Sequence, residues 1–359
     1  SPIWQLLYFL RGTILFKSKS PNYEEVIRSF NNSGRLQKNN ELLFLFRGLS
    51  FRYLHKYECA IEDFEKVIKN HVKKELAFLG LGLIKSDLKD YEGAVIRSKF
   101  KFDREVFDAA PNLKWIARSG AGMENIDTKL AEERRVKCFN SPEGNRDAVA
   151  EHAIGMLLAL FNQLIQADAE VRKGEWNREK NRGIELRGKT VGILGYGFMG
   201  EAFAQRLQGF GVNIIAYDKY KSGFGNDFVQ EVDLPTLFEQ TDVLSIHLPL
   251  TEETTFMVNE EFINRFKKPI YLINTARGKN VKTADLVVAL KNEKILGACL
   301  DVLEYEKTSF ESLKADELPE AFQYLSKSNK VILSPHVAGW TQKSYVKLST
   351  VLAEKILRQ

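Results

Sequence analysis

Residues 189–218 read KTVGILGYGFMGEAFAQRLQGFGVNIIAYD, and the fold is decided there. The first six residues form an apolar run of strand length bounded by glycine. A turn with Gly195, Gly197 and Gly200 in GxGxxG spacing follows, then the helical run EAFAQRLQGFG and a second apolar run that ends on Asp218. Each glycine has its own reason: Gly195 permits the tight turn, Gly197 lets backbone approach a pyrophosphate, and Gly200 lets the helix lie close on the sheet. The helix starts at Phe198 and Met199, where backbone N–H groups face phosphate charge. Asp218, 18 residues after Gly200, is placed to accept from ribose hydroxyls and to repel a 2′-phosphate, which predicts NAD rather than NADP.

Working outward, the same alternation of strand and helix continues. DVLSIHLPLTEET, PIYLINTARGKN, ILGACLDVLEYE and KVILSPHVAGWT are each an apolar run that ends in polar residues. Ligands of open parallel sheets sit beyond the carboxyl ends of strands. Arg277, Asp301, Glu306 and His336 are therefore expected to converge near a nicotinamide ring. Upstream, from Gly93, short β-branched runs alternate with helical segments, which argues for parallel strands with crossovers.

The motifs VIRS, RSGAGMENID, NSPEGNRDAVAEH, GKTVGILGYGFMG with Asp218, HLPLTEET, INTARG, LDVLEYE and SPHVAGWT occur in one order over roughly 270 residues. In that order they resemble the D-isomer-specific 2-hydroxyacid dehydrogenase family. The resemblance implies hydride transfer between a small 2-hydroxy or 2-oxo acid and NAD, with 3-phosphoglycerate, lactate or glycerate as substrate types. It implies Arg277, Glu306 and His336 as catalytic residues. It adds His247, Pro249, Thr254, Thr275, Ala276, Asp301 and Gly339 to the cofactor-binding set, with Asp301 on the nicotinamide carboxamide. Arg97, Ser98, Ser119, Gly120, Ala121, Gly122 and Asn145 are implied for the substrate, Asn145 at a hinge between lobes. A homodimer through helices of the cofactor domain is implied as well.

The residue types suit that chemistry. A group that titrates near neutrality takes the hydroxyl proton well, as His336 would. A carboxylate on its second ring nitrogen fixes the tautomer and stabilises the imidazolium, a role for Glu306. Arg277 grips a carboxylate and polarises a carbonyl through its fork of donors. His55, His71 and His152 are expected in core or capping positions.

The first ninety residues read differently. Tyr23, Tyr57 and Tyr91 are spaced by 34, as are Gly48 and Gly82, and Phe30 and Phe64. An apolar helix, a polar turn ending in Tyr and a second helix at that period resemble the tetratricopeptide repeat, whose stacked helices present a surface to a peptide or protein partner. Small residues Ala60 and Ala94 follow the tyrosines. At DYEGAV the third copy overlaps the strand at which the dehydrogenase-like part begins, and residues 91–98 have to choose. The family's opening strand, helix and second strand are replaced by this segment, which puts turnover in question. The alternative function is a helical-repeat interaction module fused to an inactive, NAD-binding remnant, as a natural fusion or an artificial chimera.

The expected architecture is α/β, a Rossmann-type doubly wound parallel sheet (146–336) with a partial flavodoxin-like substrate lobe (91–145 plus 337–359), preceded by an all-α tetratricopeptide-like helical segment (1–90). Composition agrees: 44% hydrophobic and 28% charged residues exclude a disordered or fibrous chain. The net charge of +5 comes from the first ninety residues, with 15 basic against 10 acidic side chains, and the remainder balances at 37 against 37. That surplus is too weak for nucleic acid. Three cysteines without CxxC spacing predict a reducing, cytoplasmic compartment and no metal site. The apolar opening is too short to span a membrane and lacks a basic leader.

Overall fold

The computed structural model describes residues 11, 15–18, 20–33, 41–69, 88–97, 101–306 and 318–358. Contacts divide them into two units, the described residues as far as Ser119 with Met123–Asn140, and Gly120–Gly122 with Ser141 onward.

In the first unit, α1 (Tyr23–Asn31), α2 (Glu41–Tyr53) and α3 (Tyr57–Lys69) pack α1 on α2 and α2 on α3. Asn22 caps α1 by accepting from the Glu25 N–H at 3.2 Å. Val26, Phe30, Leu43, Ala60 and Phe64 are fully buried between the helices. Gly48 is required: a Cβ there would stand 2.8 Å from the Phe64 ring. The repeat spacing of Gly48, Phe64 and Ala60 thus reads out as close helix packing. Arg47 grips the buried Asp63 with two bonds of 2.6 and 2.8 Å.

The third repeat copy is not a helix at its tyrosine. The chain leaves a 3₁₀ turn at Leu88–Asp90 and enters β1 (Gly93–Ile96), so this stretch takes the strand reading. The cause is pairing: Gly93, Ala94, Val95 and Ile96 register in parallel with Trp115–Arg118, and a Cβ on Gly93 would stand 2.0 Å from the Trp115 indole. Gly82, His71 and Ser98 lie outside the described residues. With α4 (Arg104–Ala109), β2 (Trp115–Arg118), α5 (Thr128–Glu133) and β3 (Lys137–Asn140), β1 forms a parallel sheet of order β1-β2-β3 over a core of Phe102, Phe107, Ile116 and Leu130. β1 is an edge of that sheet and Val95 is 60% exposed. Glu58 of α3 reaches this edge, where it accepts from the Arg97 N–H just beyond β1.

The second unit contains α6 (Arg146–Phe161), α7 (Leu164–Arg172), β4 (Thr190–Leu194), α8 (Phe198–Leu207), β5 (Asn213–Tyr217), β6 (Gln230–Glu231), α9 (Leu234–Gln240), β7 (Val243–Ile246), α10 (Glu260–Asn264), β8 (Ile270–Asn274), α11 (Thr283–Lys291), β9 (Ile295–Leu300), α12 (Glu320–Lys327), β10 (Val331–Leu333) and α13 (Gln342–Leu357). All strand pairs are parallel, in the order β10-β9-β8-β7-β4-β5-β6. This is the doubly wound order, with its switch point between β4 and β7. Side-chain alternation along β4 sends Val191 and Ile193 to the face covered by α6 and α8, and Leu194 to the opposite face. Gly192 shares that opposite face, where a Cβ would stand 2.3 Å from Thr241 Oγ1.

The domain limits differ from the expectation in two ways. The helical segment clusters with the three-stranded sheet, and residues 337–359 belong to the cofactor unit. Backbone contact explains the second: a Cβ on Gly144 would stand 2.6 Å from the Leu348 nitrogen, so α13 lies directly on the Pro142–Gly144 turn. Lys355 and Glu143 add an ion pair at 2.8 Å. Among the described residues no single helix is long and apolar enough to cross a membrane. The bent pair α6 and α7 passes by length and composition, yet Ala150, Ala153, Leu157 and Phe161 bury α6 in the core.

Candidate active site

The glycine turn joins β4 to α8. Gly195 sits at φ +94, which L side chains rarely adopt, and a Cβ there would stand 2.9 Å from the His247 carbonyl oxygen. A Cβ on Gly200 would stand 2.3 Å from the Gly195 oxygen, so helix and turn touch through backbone. Around the corresponding position on Gly197 there is open space within 4 Å. Gly197 is the N-cap of α8 and, having no side chain, offers no cap to the first turn at Phe198 and Met199. Asp218 ties this turn to the end of β5: Oδ2 accepts from Tyr196 N at 2.8 Å, and Oδ1 from Tyr220 N and Lys221 N at 2.9 and 3.0 Å. A carboxylate oxygen has two acceptor positions, so Oδ2 retains one for a ribose hydroxyl.

Beyond β7, Thr254 Oγ1 donates to the Pro249 carbonyl at 2.6 Å and accepts from Thr251 N at 2.8 Å, so Pro249 and Thr254 brace their own turn. The His247 ring meets Ser245 Oγ at 2.9 Å and the Phe203 ring at 5.3 Å. Burial lowers its imidazole to about 3. The unfolded histidine takes up a proton near pH 6.5 while the folded one stays neutral, so this contribution is complete above that pH. It declines as pH falls towards 3, by roughly 3 to 5 kcal/mol in all. His247→Gln is accordingly predicted to flatten the loss of unfolding free energy between about pH 7.5 and pH 4, read by urea denaturation. An unchanged slope would assign the acid sensitivity to other groups.

β8, β9 and β10 are neighbours, and their carboxyl ends carry the remaining candidates. After β8, the buried Asn274 holds the next turn by accepting from Ala276 N at 3.1 Å and donating to the Arg277 carbonyl at 2.9 Å. Thr275 Oγ1 is buried in this turn with no hydrogen-bond partner among the described residues. Arg277 donates to the Ala276 carbonyl at 2.7 Å. A Cβ on Gly278 would stand 2.0 Å from the Leu303 carbonyl, so the segments bearing Arg277 and Glu306 meet backbone to backbone.

The decisive contact follows β10. His336 Nδ1 lies 2.7 Å from Glu306 Oε2, with both side chains largely buried. Glu306 Oε1 also accepts from Leu303 N, which orients the carboxylate. His336 itself has φ +54, a conformation that costs a non-glycine residue about 1 to 3 kcal/mol. Asp301 holds it there. Its carbonyl accepts from His336 N at 2.7 Å, and its carboxylate, 1% exposed, accepts from Ser334 Oγ at 2.6 Å and from Val337 N and Ala338 N at 2.9 Å. The Asp301 carboxylate, expected at the nicotinamide, is thus engaged within the histidine turn. His152 Nε2 reaches the same network through Ser334 Oγ at 2.9 Å. Gly339 lies against Asn145, where a Cβ would stand 2.5 Å from Asn145 Nδ2.

Asn274, Gly278, Ser334 and His152 are the supporting residues that sequence reasoning did not assign. The SPH and INTARG motifs contain three of them, and only the fold shows what they touch. Gly120–Gly122 and Asn145 belong to the unit that holds His336, with Gly120 O accepting from Ser141 N at 2.9 Å. Arg97 and Ser119 belong to the first unit, beyond β1 and β2; Ser119 N donates to the Ile96 carbonyl at 2.9 Å, and the Arg97 carbonyl accepts from Asn125 Nδ2 at 2.7 Å. Among the described residues no three His, Cys, Asp or Glu side chains gather as a metal site.

Residues 154–338 match the family model described as D-isomer specific 2-hydroxyacid dehydrogenase, NAD binding domain. The chain belongs to this family. D-3-phosphoglycerate dehydrogenase of Archaeoglobus fulgidus is 38% identical over 273 residues, 76% of this chain and 50% of the relative. Hydroxypyruvate reductase of Thermotoga maritima is 35% identical over 291 residues, 80% of this chain and 92% of the relative. The crystal structure of D-lactate dehydrogenase from Aquifex aeolicus, complexed with NAD and lactic acid, matches with TM-score 0.66 at 30% identity, covering 76% of this chain and 85% of that one. The dehydrogenase described here therefore spans half the length of the first relative and nearly all of the second.

NAD is the cofactor of the family's domain, and the residues present fit it. The open space at Gly197, the uncapped start of α8 and the remaining acceptor position on Asp218 suit a pyrophosphate and a ribose. Thr275 Oγ1, buried without a partner among the described residues, suits a polar group of the ligand at the end of β8.

Proposed function

We propose that this dehydrogenase interconverts a small D-2-hydroxy acid of the 3-phosphoglycerate, lactate or glycerate type and its 2-oxo acid, with NAD as redox partner. The observation that carries the reading is the His336–Glu306 pair, held at 2.7 Å in a turn of unfavourable backbone conformation. NAD supplies or accepts the hydride. In the oxidative direction His336 takes the hydroxyl proton at Nε2 while Nδ1 stays bonded to Glu306, whose charge stabilises the imidazolium. In the reductive direction the same nitrogen returns that proton to the carbonyl oxygen. Arg277 holds the substrate carboxylate and polarises the carbonyl. Gly120–Gly122 and Asn145, in the unit that holds His336, serve the substrate carboxylate.

Absorbance at 340 nm with NADH and a panel of 2-oxo acids tests this reading, which expects turnover with at least one acid and a D-configured product. Binding of NADH without turnover of any acid would favour the inactive remnant. The helical segment favours a structural part in the substrate unit, since Glu58 ties α3 to the end of β1. The exposed Tyr53, stacked on Tyr23 at 4.5 Å, supports the second reading of a peptide or protein partner. A cytoplasmic site of action is supported by the odd cysteine number and by Cys299, whose thiol is buried in the sheet and raised by that burial.

A homodimer is part of the proposal. Leu164, Ile165 and Val171 of α7, with Trp176 and Ile184 beyond it, are exposed, and Trp176 is 77% exposed. The segment carrying Trp176 is pinned to α7 through Glu170, which accepts from Lys180 Nζ at 2.6 Å and Asn181 Nδ2 at 2.7 Å. Those donors, Lys180 first, hold its carboxyl down to about 2. An apolar set of this extent on a held segment suits association. Sedimentation velocity is expected to show a dimer for the native chain and a monomer for Trp176→Glu. A native monomer, or a mutant that stays dimeric, would remove this surface from consideration.

A further inference from the structure

Turns from two strands that are not neighbours meet across the glycine turn. β5 and β7 flank β4 on opposite sides, which sets their axes about 10 Å apart. Beyond β5, Lys219 Nζ donates to Glu253 Oε1 and Tyr220 OH donates to Glu253 Oε2; Glu253 stands in the turn beyond β7. Both carboxylate oxygens are therefore engaged by groups that follow Asp218 directly in the chain. The Tyr220 N–H is at the same time held by Asp218 at 2.9 Å. Lys219 holds the Glu253 carboxyl below the usual carboxylate range, and Glu253 pushes the Tyr220 hydroxyl up.

The charge count at this edge matters for the ligand. Asp218 and Glu253 stand against Lys219 and Lys221. Lys221 donates to the Tyr196 carbonyl at 3.2 Å and lies over the Tyr196 ring. Lys219 is the cation that Glu253 neutralises. A basic side chain just past the acid of the second strand is what accommodates a 2′-phosphate in this fold, so a lysine there works against selectivity for NAD unless something engages it.

We propose that Glu253 is a second determinant of the preference for NAD over NADP, acting by sequestering Lys219. The proposal rests on the cofactor site assigned above. Tyr220 assists by fixing the carboxylate through its second oxygen.

Glu253→Gln keeps the side-chain shape and removes the charge. In fluorescence titrations of the full-length chain at low salt, this variant is expected to bind NADPH about tenfold more tightly than the native chain, the worth of one charge-assisted contact on a surface. NADH affinity is expected to change by less than about threefold, and the NADPH gain to shrink as salt screens it. The double variant Glu253→Gln, Lys219→Ala is expected to lose the gain. NADPH affinity unchanged in Glu253→Gln, or a gain that survives removal of Lys219, would overturn the proposal. Failure of the native chain to bind NADH would overturn the cofactor site itself, so the two failures are distinguishable.

Discussion

His336→Ala is expected to lower kcat/KM by about 10²- to 10⁴-fold, the usual worth of a positioned acid–base group, while the dissociation constant for NADH moves by less than about threefold. The split follows from where the residue stands. The residues proposed for cofactor contact, the glycine turn and Asp218, stand at β4 and β5, whereas His336 follows β10 at the far edge of the same sheet. Removing the imidazole leaves those contacts intact and takes away the group that moves the proton. Glu306→Gln should cost less, about 10- to 100-fold, because an amide oxygen still orients the ring and only the charge that stabilises the imidazolium is lost. Steady-state kinetics on the accepted substrate decide the matter, and full activity without His336 would end the acid–base assignment.

Asp301→Ala should lower both activity and stability, and for one reason. Its buried carboxylate holds Ser334 Oγ, Val337 N and Ala338 N, and its carbonyl holds His336 N. Alanine leaves two backbone N–H groups unsatisfied in the interior and removes the clamp on a residue at φ +54. Breaking a buried charged network of this kind costs about 3 to 5 kcal/mol. The released turn also loses the geometry that presents His336, so kcat should fall by at least about 100-fold. Asp301→Asn should fall between native and alanine, since Oδ1 can still serve Ser334 and Val337 while the amide nitrogen opposes the Ala338 N–H. A positioning role predicts the loss in kcat with NADH affinity nearly unchanged. If the main effect is weaker NADH binding, Asp301 acts on the nicotinamide instead.

Much of this site was legible before the fold was known, because its signals are local. Gly195, Gly197, Gly200 and Asp218 lie within 24 residues, and periodicity alone places them between two strands and a helix. His336 and Glu306 stood out through motif order and residue chemistry. The supports were not legible, because each depends on two segments distant in the chain meeting through backbone or a single atom. Gly278 reads as part of a motif, yet its reason is the Leu303 carbonyl 2.0 Å from where a Cβ would be. Asp301 reads as a ligand at the end of a strand, yet three of its acceptor positions are taken by the turn 33 to 37 residues later. The same limit explains Tyr91. A spacing of 34 residues continues the helical pattern, but pairing of Gly93–Ile96 with β2 overrides it.

The first unit, proposed above to serve the substrate, bears on activity. Its sheet has three strands among the described residues, with β1 at the edge and Val95 exposed. Against that, Arg277, Glu306 and His336, the residues proposed for catalysis, belong with the glycine turn to the other unit, whose sheet has the doubly wound order. If the proposed roles hold, substrate affinity rather than proton transfer is the quantity that the first unit's short sheet is expected to weaken.

The most direct measurement is the transfer of deuterium from NADH labelled at the nicotinamide C4 to the substrate carbon, followed by mass spectrometry of the product acid. One deuterium at C2 of a 2-hydroxy acid, formed by the native chain at a rate at least about 100-fold above that of His336→Ala, is the expected result. Bound labelled NADH that delivers no deuterium to any 2-oxo acid would contradict the assignment of an active dehydrogenase.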